Sequence, residues 1–233
     1  MDTMEQEKLN QLKLQAEQGG IEAQCELAYY YKKEKRDYGR ALAWYLKAAE
    51  AGHSLAQCRV GRIYFDERNY EQAVYWLSKS AEQGDAVAQC ELANCYENGY
   101  GVEKDLEKHI YWLRLSAEQE NVNAMWKMFL SYARGIGVEK DVENAKYWYF
   151  KGEKYTEEVL REKAENGDIK SQGIMARLCG ILQDDEGELY WIKRSADQGN
   201  FYAIYLLSDR YFHRGNFEES KRLMLILAKQ SKS

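Results

Sequence analysis

The chain has 233 residues, 45% apolar and 30% charged, and its 33 basic and 38 acidic side chains leave a net charge of −5. That balance is a globular one, not a disordered one, and it lacks the basic stripe of a non-specific nucleic-acid binder. Mean hydropathy is −0.71 and no run approaches the roughly 18 apolar residues of a membrane span, so no membrane insertion is expected.

There is no proline, where ordinary usage predicts about a dozen. Proline breaks helices and stocks loops, so its absence points to helices joined by short turns. Residues 1–7 are polar and acidic and lack the basic and apolar stretches of a secretion signal. With five cysteines, an odd number, this points to the cytoplasm and to reduced thiols.

The chain repeats itself. A segment of the Ala-Glu-Gln-Gly type recurs at Ala16, Ala49, Ala81, Ala117, Ala164, Ala196 and Ala228, spaced by 33, 32, 36, 47, 32 and 32 residues. After each of the first six alanines, positions 7, 11 and 15 are Ala23, Leu27, Tyr31; then Ala56, Val60, Tyr64; Ala88, Leu92, Tyr96; Ala124, Met128, Tyr132; Ser171, Met175, Cys179; and Ala203, Leu207, Tyr211. Steps of four place each trio on one helical stripe, which defines a helix A. A helix B precedes the next alanine. It carries Trp44, Trp76, Trp112, Trp148 or Trp191, and a small residue such as Ala41, Ala73 or Ala145 one turn earlier. Asp37, Asn69, Asp105, Asp141, Asp184 and Asn216 are placed to cap its start. Gly19, Gly52, Gly84, Gly167 and Gly199 are placed to end it.

The two 36-residue repeats differ from the shorter ones by Gly-x-Gly loops at 98–105 and 134–141. The spacing of 47 admits an additional helix over Thr156–Asn166, similar to Glu7–Gln18 ahead of the first repeat. The expected fold is an all-α solenoid of about six helix-turn-helix repeats over residues 1–233. Its sub-blocks are 1–152 and 156–233, with a kink or inserted helix near 152–166. Each repeat is too small to bury its apolar face alone, so neighbours stack.

Little in the chain points to chemistry. His53, His109 and His213 sit at unrelated repeat phases and form no metal-ligand spacing, so they read as surface or helix-end residues. The Gly-x-Gly loops lack the Lys-Ser/Thr of a phosphate loop and recur with the repeat, so they read as turns. No nucleophile elbow or triad signature occurs. No catalytic residue, cofactor or metal is expected. Cys25, Cys58 and Cys90 share one phase, and either line a groove or serve as half-buried small apolar residues. The tryptophans of the B helices read as core, and His109, Glu188 and Ser220 replace the small helix B residue.

The Ala-Glu-Gln-Gly segments, the Ala-x-x-Trp of helix B, and the Tyr-x-x-Gly-x-Gly-Val-x-x-Asp stretches at Tyr96–Asp105 and Tyr132–Asp141 resemble the Sel-one-like repeat family, a relative of the tetratricopeptide repeats. The resemblance implies a right-handed superhelix with A helices on its concave side, and mostly non-enzymatic adaptors. In bacteria these serve host interaction, envelope or stress signalling, and in some cases toxin immunity. By that resemblance the phase of Cys25, Cys58 and Cys90 faces the groove; it is continued by Trp126 and Tyr205. One turn on, the phase reads Tyr29, Arg62, Asn94, Leu130, Arg177 and Asp209. Residue type varies there while the structural phases stay uniform, as a surface for an irregular partner requires. The expected activity is binding of a protein or peptide in this groove. The alternatives are an immunity-type inhibitor of one toxin or enzyme, and a self-associating structural protein joined through its terminal repeats.

Overall fold

The computed structural model describes residues 3–153 and 156–230. Among them lie fourteen helices and no strand. In chain order these are α1 (Thr3–Glu17), α2 (Ile21–Lys33), α3 (Tyr38–Glu50), α4 (Ser54–Asp66), α5 (Tyr70–Glu82), α6 (Ala86–Asn98), α7 (Leu106–Glu118) and α8 (Val122–Arg134). They continue with α9 (Val142–Glu153), α10 (Glu157–Glu165), α11 (Ile169–Ile181), α12 (Asp185–Asp197), α13 (Phe201–His213) and α14 (Phe217–Gln230). Helices α2, α4, α6, α8, α11 and α13 are the expected A helices. The expected B helices are α3, α5, α7, α9, α12 and α14. Helix α10 is the inserted helix, capped by the Thr156 hydroxyl, which accepts from the Val159 N–H.

The helices pack as two compact units, one ending at Lys140 and one starting at Asp141. The division falls ahead of α9 and not at residue 152. Helix α9 packs with the later helices: Lys146 Nζ lies 3.4 Å from Glu157 on α10, and Phe150 packs on the core of Leu160 and Trp191. The kink expected over 151–156 involves residues 154 and 155, which lie outside the described residues.

Burial follows the repeat. Positions 7 and 11 are buried in all six A helices, whereas the position-15 residues after Tyr31 are half-buried. The recurring alanine is buried at Ala16, Ala49, Ala81, Ala117, Ala164 and Ala196. Its backbone has a second role. The carbonyls of Ala16, Ala49, Ala81 and Ala164 accept from Nε2 of Gln24, Gln57, Gln89 and Gln172, at 3.1, 3.0, 3.2 and 2.9 Å. The glutamine of the next Ala-Glu-Gln-Gly segment then reaches back. Gln83, Gln119 and Gln198 donate to the Oε1 of Gln57, Gln89 and Gln172 at 2.6, 2.8 and 2.9 Å. Each of these carbonyls also accepts from the glycine N–H three residues on, so the amide relay adds a second hydrogen bond at each helix end and satisfies the buried Gln57, Gln89 and Gln172 amides.

All six expected B-helix caps form: Asp37, Asn69, Asp105, Asp141, Asp184 and Asn216 each accept from a backbone N–H three residues on. The A helices have their own caps, which the repeat pattern did not single out: His53, Asp85, Asn121, Asp168 and Asn200. Glu120 stands in a left-handed conformation (φ 63°) where the other repeats place glycine.

The Gly-x-Gly loops are turns docked on the preceding B helix. A Cβ on Gly101 would collide with the Tyr70 carbonyl at the start of α5, and one on Gly137 would lie 2.8 Å from the Leu106 carbonyl. Tyr100 stacks on Tyr70 at 4.8 Å.

Two expectations need correction. His109 is not a surface residue: it is buried in α7, where its Nδ1 lies 2.9 Å from the Ala93 carbonyl of α6. It fills the place of the small helix B residue, and burial holds its pKa below the ordinary value, so the ring is neutral near pH 7. Of the tryptophans, Trp76, Trp148 and Trp191 are buried, but Trp44 and Trp112 are only half-buried, with Lys47 lying 3.9 Å over the Trp44 ring.

Candidate functional site

In the first unit α2, α4, α6 and α8 lie side by side, joined by side chains that reach from one A helix to the next. Arg62 Nε on α4 lies 3.8 Å from Glu91 on α6. Lys127 on α8 donates to Asn94 Oδ1 on α6 at 3.2 Å and lies 3.8 Å from Glu97. Cys25 Sγ on α2 lies 3.4 Å from His53 Nδ1 at the start of α4. Exposed ion pairs of this kind add about 0–1 kcal/mol each, so they order the surface more than they hold the fold.

Of the residues expected to bind, five lie on these helices. Tyr29 is 54% exposed, and with Leu12, Tyr45, Leu55 and Arg59 it lines a depression of about 440 Å³. Trp126 is 36% exposed, its ring 5.0 Å from Phe129. Arg62 is exposed, and Asn94 and Leu130 are half-buried. Arg62 and Asn94 are each bridged to the neighbouring helix; Tyr29 is not joined to them. In the second unit Arg177 on α11 and Tyr205 on α13 are exposed. Asp209 on α13 is half-buried and lies 3.4 Å from His213 Nδ1.

Glu91, Glu97 and Lys127 organise the first-unit face and were missed from sequence. A signal existed: ten residues after successive recurring alanines stand Glu26, Arg59, Glu91 and Lys127, alternating in sign. The ion pairs that form are offset from this phase: Glu91 meets Arg62, and Lys127 meets Glu97.

The shared-phase cysteines are core more than lining. Cys58 and Cys90 are buried and Cys25 is half-buried, all as free thiols. Burial pushes the Cys58 thiol up to about 12 and that of Cys90 to about 11, so neither is a thiolate near neutral pH. Among the described residues no group of three or more His, Cys, Asp and Glu side chains is placed to hold a metal ion. No helix among them is long and apolar enough to cross a membrane. The arrangement offers aromatic and hydrogen-bonding groups for recognition.

The family model of the Sel1 repeat matches residues 21–53, 54–85, 86–121, 122–152 and 180–200. Among solved structures, the chain is similar to a protective antigen present in uropathogenic Escherichia coli strains and displaying an SLR fold. Identity is 30% and the TM-score 0.66, over 95% of this chain and 48% of that one. It thus spans about half the length of that relative. A Sel1 repeat protein from Oxalobacter formigenes is 31% identical with a TM-score of 0.60, over 90% of this chain and 86% of that one. A putative Sel1 repeat protein from Klebsiella pneumoniae, 21% identical with a TM-score of 0.50 over 87% of this chain and 98% of that one, shares the fold. No curated protein matches.

Proposed function

The chain belongs to the Sel1 repeat family, whose members generally act as protein–protein interaction modules, and on that premise we propose that its first unit binds a protein or peptide segment along α2, α4, α6 and α8 without catalysis. One observation carries this reading. On a scaffold whose buried phases repeat almost unchanged, the solvent-facing phase varies from Tyr29 to Arg62, Asn94 and Leu130, with Trp126 exposed beside it. Aromatic and arginine side chains are frequent anchors at interfaces. On the second unit Arg177 and Asp209 stand at the same phase and supply polar selectivity, and Tyr205, at the phase of Trp126, is a further aromatic anchor.

Affinity capture from the source cell, with a Tyr29→Ala, Trp126→Ala bait beside the native chain, tests this. The expected result is a partner held by the native chain and lost by the variant, both folded by circular dichroism. A single partner retained at high salt would favour an immunity-type inhibitor; several salt-sensitive ones would favour an adaptor. A partner held equally by both baits would remove the binding role from this face.

A second reading, self-association, is favoured by the last helix. On α14 Met224, Leu225 and Ile226 are exposed. A molar mass that rises with concentration in light scattering would support it.

A further inference from the structure

The first unit carries a depression of about 730 Å³ between α1 and α2, with Leu9, Leu12 and Tyr30 in its walls, and we infer that it seats α14 of a second copy of this chain, so that copies join head to tail. The chain itself shows what docks on such a place. Helices α10 and α11 repeat the α1–α2 pair. Leu160 and Ala164 stand where α1 has Leu12 and Ala16, and Gln172 bonds the Ala164 carbonyl as Gln24 bonds that of Ala16. A B helix, α9, is docked on that second pair. Its Phe150 packs on the core that holds Leu160, its Lys146 lies 3.4 Å from Glu157, and Arg177 of α11 stands beside its Tyr149 hydroxyl. In the first unit the equivalents of Glu157, Leu160 and Arg177 are Leu9, Leu12 and Tyr29. Leu9 and Leu12 line the depression, and Tyr29 adjoins it. Leu160 is 3% exposed beneath Phe150, whereas Leu12 is only half-buried.

Helix α14 presents the matching face. Counted from the caps Asp141 and Asn216, Tyr149 and Phe150 of α9 correspond to Met224 and Leu225 of α14. Tyr149 is 3% exposed and Phe150 half-buried; Met224 and Leu225 are 49% and 56% exposed. The face that α9 turns to α10 and α11 is thus repeated on α14 without a cover among the described residues. Docked in the same way, Leu225 of one copy meets Leu9 and Leu12 of the next, and Met224 meets Tyr29. Leu9 stands in the place of Glu157, so this seat is held by apolar contact and not by an ion pair. The two surfaces differ, so the contact is heterologous. Each added copy brings a new α14 and a new seat, and the assembly grows past a dimer.

This rests on the self-association reading and names its partner surface. Sedimentation equilibrium of the pure full chain tests it, with Leu225→Glu and Tyr29→Glu as variants; both residues are more than half exposed, and circular dichroism checks that each variant stays folded. The native chain should exceed the mass of a dimer at high concentration, with a Kd of about 100 μM, as suits one docked helix. Each variant alone should stay monomeric, Leu225→Glu for want of a helix to offer and Tyr29→Glu for want of a seat. Their equimolar mixture should reach twice the monomer mass and stop there, since one intact seat and one intact α14 remain. If Leu225→Glu is monomeric but Tyr29→Glu associates like the native chain, α14 pairs with itself; that overturns the head-to-tail seat and leaves self-association standing. A mixture that stays monomeric, or association undiminished in both variants, also overturns the seat. A native chain that is monomeric throughout overturns both readings.

Discussion

At the scale of single residues, the glutamine of the Ala-Glu-Gln-Gly segment proves to be a connector between repeats. Gln83, Gln119 and Gln198 each complete the hydrogen bonding of a buried glutamine in the repeat before. Ala51 stands at the same place in the second segment, and the Oε1 it would serve, that of Gln24, is buried without a partner. Ala51 has nearly the backbone conformation of Gln83 (φ −75°, ψ 3° against φ −80°, ψ 0°). Ala51→Gln should therefore stabilise the chain by about 1 kcal/mol, the net value of a hydrogen bond that relieves a buried orphan acceptor. Urea denaturation reads this as a raised midpoint at unchanged slope; an unmoved midpoint would show that Gln24 is already satisfied. The glutamine was legible as part of a motif. Its partner was not, because a repeat period says which positions are equivalent and not which side chain reaches which. His109 shows the same limit: its phase marked it as a replacement for alanine, but only packing against Ala93 shows it buried.

At the scale of elements, the sequence located the helices well, since their signals are local. A four-residue apolar step, an Asp or Asn cap and a terminal glycine act within one or two turns. The Gly-x-Gly loops were legible as turns but not as packing elements. Gly99 and Gly101 both have positive φ, 76° and 68°. They differ in surroundings: a Cβ at Gly99 meets nothing closer than 3.6 Å, whereas one at Gly101 strikes the α5 backbone. Gly99→Ala should cost about 1 kcal/mol, the penalty of a left-handed alanine. Gly101→Ala should cost about 2–4 kcal/mol, because the loop must also leave Tyr70. Thermal unfolding of the two variants side by side checks this. Equal losses would mean that the loop does not rest on α5.

At the scale of the whole molecule, the repeats behave as two packed units, and stability within each comes from neighbours. Helix α12 has a following helix and α14 has none among the described residues. Ile192 is 3% exposed, whereas its α14 equivalent Met224 is 49% exposed. Amide hydrogen exchange should accordingly be faster in α14 than in α12, at low protein concentration. Equal protection in the two helices would show that another surface covers α14, as the self-association reading requires.

The sequence by itself determined the helical class, the repeat register and the family, because each rests on signals that recur every 32 to 36 residues and act over a turn or two. Tertiary structure alone decided that α9 packs with the later repeats and that Arg62 reaches Glu91, and Lys127 reaches Glu97, across neighbouring A helices. These depend on distances between side chains far apart in the chain. Such distances follow from how helices stack, which a single sequence does not encode position by position.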